Sequence, residues 1–204
     1  MFLLGVHSRP TVAAAAEELL RQGVVLVWSA FEVLAQDVFE AVVNARPDLG
    51  KSLLDSPEGR RLFQVKAIDL DTLAKFSFDL SGRMGSVLSE FRDMSDLAAI
   101  KSVVNGLFPG RPSLSQILGS KQLWYLSQQR HLIVHNRGVV DRRYVERTGT
   151  TLGEGTQLRV QPSDLEEYVG VVRDAAAEVL TAARDVLGTP STPLKPAADQ
   201  VGRG

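Results

Sequence analysis

No cysteine occurs among the 204 residues, which excludes disulfide bonds and thiol chemistry, and accords with a cytoplasmic protein. No long apolar run is free of charge. The strongest, Val24 to Val43, contains Glu32, Asp37 and Glu40, and three acids at membrane depth argue for a buried helix rather than a span. Met1-Phe2-Leu3-Leu4 is too short for a signal peptide and lacks its charged flank. The chain shows no internal repeat, no phosphate-cradling glycine loop and no Gly-x-Ser-x-Gly element. Net charge is also lacking: the balance of −1 exerts no general pull toward nucleic acid. Histidine is scarce, with three in all.

What is present is ordinary for one globular domain: 44% hydrophobic and 23% charged residues. The residues expected to fold are 1–188; the tail 189–204, with Pro190, Pro193 and Pro196 and few bulky apolar residues, reads as disordered. The pattern predicts an all-α bundle of about five helices. Ser8-Arg9-Pro10-Thr11 opens a long first helix to about Ala45, which Gly23 is placed to bend or split. Within it Val24, Val27, Trp28, Phe31, Leu34, Ala35, Val38, Phe39 and Val42 keep a helical period, so core packing is the expected role of Trp28 and Phe31, ahead of stacking on RNA. A second helix is expected from about Ser56 to Ser77 and a third from Ser86 to Leu107, before Pro109-Gly110-Arg111-Pro112. A fourth should run from a Ser120 cap to Gly138. Val139 to Arg147 and Gln157 to Val160 read as an extended loop or small hairpin around the glycine-rich segment 148–156. A last helix opens on a capping box of Ser163 and Glu166 and ends near Gly188.

The fourth helix carries the chemistry. On a wheel of about 100° per residue, Leu123, Leu126, Ile133 and Val134 fall in one apolar arc with Arg130 in its middle. Trp124, Gln128, His131 and His135 gather on the adjoining face. A guanidinium facing a core needs a carboxylate or an anion. One reading is therefore an ion pair to Glu32 or Asp37, and the other is a functional cluster. Lys121, Arg130, Arg137, Arg142, Arg143 and Arg147 face only Asp141 and Glu146 in this stretch, a local excess that favours a phosphate backbone unless it pairs with the acidic first helix. A zinc site is disfavoured: His131 and His135 are four apart, but the metalloprotease glutamate is not between them and no cysteine can complete the set.

Arg130, His131, His135 and Asn136 spell Arg-His-x3-His-Asn. With Arg137 to Asp141 and Tyr144, the stretch resembles the Arg-x4-His motif of HEPN domains, and in particular the stand-alone prokaryotic members. The resemblance implies an all-α bundle that dimerises to join two motifs, and a metal-independent endoribonuclease needing no cofactor. It makes Arg130 the phosphate stabiliser and His135 the general acid or base. His131 and Asn136, with Arg137, Arg142 and Arg143, would support substrate binding. A role as toxin or phage-defence effector, with an antitoxin or defence partner protein, is typical of the family. Some HEPN toxins carry a modifiable tyrosine two residues after the histidine; here that position is Arg137, so this regulation is not expected. The alternative is a non-catalytic module of the same fold that binds RNA or a nucleotide, or serves as a helical dimerisation partner.

Overall fold

The structure is a computed structural model that describes residues 10–64, 68–91 and 94–188. It is all-α, with ten helical segments among the described residues. The longest, α1 (Pro10–Ala45), runs unbroken. Gly23 does not split it: a Cβ there would lie 2.8 Å from Leu165 Cδ2, so the missing side chain lets the last helix, α10 (Pro162–Leu187), approach closely. Trp28, Phe31, Phe39 and Val42 of α1 are fully buried, in a single apolar cluster that also takes in Leu114, Leu123, Leu126, Ala175 and Val179. Trp28 and Phe31 meet edge to face with centroids 6.1 Å apart. They are core residues, and Phe31 offers no face to a base.

Between α1 and the motif helix the chain is more broken than the periodicity implies. The helix expected over 56–77 is two pieces, α3 (Pro57–Phe63) and α4 (Leu70–Lys75). Gln64 leaves helical space at φ 50°, and α4 buries none of its residues, so the spaced apolar residues do not share one covered face. The helix expected over 86–107 is likewise divided. Its first part is α5 (Met84–Ser89), and Asp96 starts α6 (Leu97–Leu107) by accepting from the Ala99 N–H at 2.7 Å. Before these come α2 (Pro47–Asp55) and after them α7 (Pro112–Leu118). The cap of α5 comes from another helix: Asn44 Oδ1 of α1 accepts from the Gly85 N–H at 2.8 Å. The buried Arg46 holds the α1–α2 corner, gripping Asp48 through two donors and donating to the Val186 carbonyl at 3.0 Å.

The motif helix is α8 (Lys121–Asn136), capped by the Ser120 hydroxyl as expected. Asp141 then caps α9 (Arg142–Thr148) by accepting from the Tyr144 N–H at 2.7 Å. The extended reading of 139–147 is corrected accordingly: a capping aspartate outweighs weak alternation. Of the expected hairpin there remains one antiparallel bridge, Val139 with Gln157, supported by the Leu158 N–H donating to the Gly138 carbonyl at 2.7 Å. The capping box of α10 sits two residues earlier than expected, on Gln161 and Asp164, because Pro162 occupies the first helical position. The Ser8 cap and the tail 189–204 lie outside the described residues. Among the described residues no helix is long and apolar enough to cross a membrane.

Candidate functional site

Three elements build the site. Helix α8 packs against α1, α10 and α9, with Leu123, Leu126, Leu132 and Ile133 buried. Val134 departs from the expected stripe: it is 47% exposed, while its neighbours Leu132 and Ile133 are buried. Helix α9 folds back beside α8, and the start of α6 closes the third side. Between them lies a groove of about 600 Å³. Arg130, His131, Trp124 and Gln128 of α8 line it together with Arg143 and Arg147 of α9 and Asp96, Leu97 and Lys101 at the α6 end; Trp28 contributes to its base.

Arg130 is half-buried and turned toward α1, with Nη2 3.4 Å from Glu32 Oε2. Of the two acids expected as its partner, Glu32 is the one found; Asp37 is exposed. At 3.4 Å the pair is longer than the 2.7–2.9 Å or so of a good charge-assisted bond. The Arg130 Nε is enclosed without a hydrogen-bond partner among the described residues, and so is the Trp28 indole N–H. An enclosed N–H with no acceptor forfeits about 1–3 kcal/mol.

His131 and His135 stand one turn apart with ring centroids at 4.5 Å, tilted by 49°. His131 lines the groove and His135 does not. Burial pushes the His131 imidazole below its ordinary value, and the charges of His135, Arg143, Arg147 and Arg130 push it further the same way. It is consequently neutral at pH 7 and able to take a proton.

The remaining expected site residues divide. Arg143 lines the groove. Asn136 is occupied elsewhere: its Nδ2 donates to Asp141 Oδ2 at 2.8 Å, tying the end of α8 to the cap of α9. Arg137 takes the left-handed backbone that ends α8, at φ 54°, and its carbonyl accepts from Gln157 Nε2 at 2.8 Å. Arg142 is exposed and pairs with Glu146 of its own helix at 2.7 Å. Arg147, Trp124 and Lys101 are groove residues that the motif does not include. Arg147 belongs to the basic run and Trp124 to the histidine face, so both leave a trace in the sequence. Lys101 leaves none, since only the placing of the first turns of α6 at the groove brings it there. Among the described residues no three of His, Asp and Glu come together as a metal-holding group.

The chain matches no protein-family model, no curated protein and no solved structure. The likeness to HEPN domains therefore rests on the motif residues themselves.

Proposed function

We propose that this chain is a metal-independent endoribonuclease of the HEPN type, acting in the cytoplasm by attack of a 2′-hydroxyl on its neighbouring phosphate. The observation that carries the reading is the grouping of a guanidinium with two imidazoles at one positively charged groove: Arg130 and His131 line it with Arg143 and Arg147, and His135 lies in ring contact with His131. Cleavage of this kind needs a base for the 2′-hydroxyl proton, an acid for the leaving 5′-oxygen, and positive charge at the phosphorane. Histidine serves either proton step and arginine the charge. The products are a 2′,3′-cyclic phosphate and a 5′-hydroxyl. Neutral His131 suits the base and His135 the acid, a division that assigns His131 a larger part than the motif implies.

Arg130 and His135 lie about 140° apart around an ideal helix and about 7.5 Å apart along it, which presents them awkwardly to one phosphate. A two-fold dimer answers this by setting the arginine of one chain beside the histidine of the other. Helix α1 has a face for such a contact. Leu19, Leu26 and Val33 are 72%, 69% and 58% exposed at seven-residue intervals, so an antiparallel pairing about Leu26 places Leu19 against Val33. Val33 is next to Glu32, the partner of Arg130, and this links the stripe to the motif. A toxin or defence role, with its partner protein, is part of the same proposal by family resemblance.

A non-catalytic module is favoured by two observations: Arg130 turns toward Glu32 and His135 lies outside the groove. The test is cleavage of a mixed-sequence RNA in excess EDTA by the wild type and by folded Arg130→Ala, His131→Ala and His135→Ala proteins. Cleavage to a cyclic phosphate by the wild type, lost in the Arg130, His131 and His135 variants, is the expected result. Equal cleavage by all four, or by none, refutes the nuclease reading.

A further inference from the structure

Helix α9 is too short to hold itself in place. It has seven residues, about 10 Å of helix, and isolated helices below about 12–15 residues are marginal in water. Of the seven only Tyr144 is buried. Yet this helix brings Arg143 and Arg147, four residues apart and so on one face, to the groove that His131 lines, while Arg142 pairs with Glu146 of the same helix. What orients that face lies at its two ends. At the far end α8 supplies two donor–acceptor pairs: the Tyr125 hydroxyl donates to the Thr148 carbonyl at 3.1 Å, and Arg147 Nη1 donates to Gln128 Oε1 at 3.3 Å.

At the near end one carboxylate has two tasks. Asp141 Oδ1 accepts from the Tyr144 N–H at 2.7 Å and starts α9. Its Oδ2 accepts from Nδ2 of Asn136, the last residue of α8, at 2.8 Å. The same amide donates to the Val139 carbonyl at 3.4 Å. Between the two side chains the backbone reverses through Arg137 and Gly138, both left-handed at φ 54° and 73°, and the Asn136–Asp141 bond closes that reversal. Neither residue lines the groove, so neither is placed to touch what the groove holds.

We propose that Asn136 and Asp141 are positioning residues: their hydrogen bond fixes the placement of α9 on α8 and so sets how close Arg143 and Arg147 stand to His131. This role rests on the cleavage reading only for its effect on cutting, where His131 is the base. For His131 itself the consequence is electrostatic. Burial lowers its proton affinity first, and the charges of His135, Arg143, Arg147 and Arg130 lower it further. Lys101 and Asp96 of α6 line the same groove, and Glu32 of α1 faces Arg130. Of all these groups α9 carries only Arg143 and Arg147, so loosening it changes those two and leaves the rest.

The His131 imidazole, followed by NMR against pH in the full chain, reads the position of the two arginines. Asn136→Leu removes the donor at similar size and should move the midpoint upward, toward the ordinary histidine value. Asn136→Asp sets two carboxylates together and should also raise it. Adding Asp141→Asn to that variant exchanges carboxylate and amide between the two positions, keeps the wild-type net charge and a good capping residue, and should bring the midpoint back. In a protein that also carries Arg143→Gln and Arg147→Gln, Asn136→Leu should add no further shift. Asn136→Ser, whose shorter side chain does not reach Asp141, takes the place of the leucine variant if that one does not fold. In RNA cleavage the acid limb of the pH–rate profile should move upward with the midpoint and kcat should fall. A chain that cuts no RNA removes the cleavage reading, and the titrations still decide this role. An unmoved midpoint in the folded Asn136 variants, an undiminished shift in the protein lacking both arginines, or no recovery in the exchanged pair overturns the proposal.

Discussion

Replacing Arg130 separates a structural from a functional arginine if it is combined with a change at Glu32. The two side chains keep 21% and 18% of their exposure and approach to 3.4 Å. At an effective dielectric of 20 their direct attraction is about 5 kcal/mol. Most of that is offset by removing two charges from water, and the long contact places the pair at the weak end of such interactions. A coupling of about 1–2 kcal/mol is what remains. Arg130→Gln should then cost about 2 kcal/mol, because it also takes away the cation that faces Glu32 in a poorly solvated place. Glu32→Gln should cost about 1 kcal/mol, and the double variant about 1–2 kcal/mol less than the sum. Urea unfolding of the four proteins measures this, with thermal midpoints following at about 2–4 °C per kcal/mol for a chain of this size. The functional readout comes from the same proteins. If Arg130 also holds a phosphate, the double variant recovers stability without recovering RNA cleavage. Single effects that add within about 0.3 kcal/mol would refute the coupling, and with it the placement of Arg130 against Glu32.

Other perturbations address the frame and the protonation of the site. Gly85→Ala should lose about 2–3 kcal/mol in urea melts, since its Cβ would lie 2.4 Å from the Glu40 carbonyl oxygen and 2.7 Å from its Cα, backbone atoms that cannot step aside. Gly23→Ala meets only the flexible end of Leu165 and gains about 1 kcal/mol of helix propensity, so its net effect should be under about 1 kcal/mol in either direction. Leu126→Ala, at a fully buried position of α8, should cost about 2–5 kcal/mol in the same melts. The imidazole of His131, followed by NMR, should titrate below about 6.5, through burial first and then the charges of His135, Arg143, Arg147 and Arg130. Its folded value being lowered, the unfolded chain takes the proton more readily. The associated stability is complete above about pH 6.5 and is lost as pH falls through the folded midpoint. Added salt or a bound phosphate should move that midpoint upward; a midpoint at or above 6.5 in the free protein would contradict the partial burial and the positive surroundings of His131.

The all-α class was legible in the chain because the helical period of Val24 to Val43 and the cap at Ser120 are local signals, decided within a few turns of backbone. The same locality brought His131 and His135 into ring contact, since residues four apart on a helix are neighbours whatever the rest of the chain does. Smaller breaks were written locally as well and are easily passed over: Asp96 before Leu-Ala-Ala and Asp141 before Arg-Arg-Tyr are capping positions, and each starts a helix that apolar spacing alone does not place. Which side of the motif helix is covered was a different kind of question. Val134 is exposed and Leu132 buried because of where α1, α9 and α10 pass, and no periodicity within α8 contains that. The partner of Arg130 was narrowed by charge to Glu32 or Asp37 and chosen by the rotation of α1. Lys101, 30 residues from His131, reaches the groove only because the first turns of α6 close its third side. Sequence determined the all-α class and the placing of one arginine and two histidines on a single helix; the tertiary structure decided what surrounds those side chains, because burial, pairing and the shape of a groove are properties of contacts between distant segments.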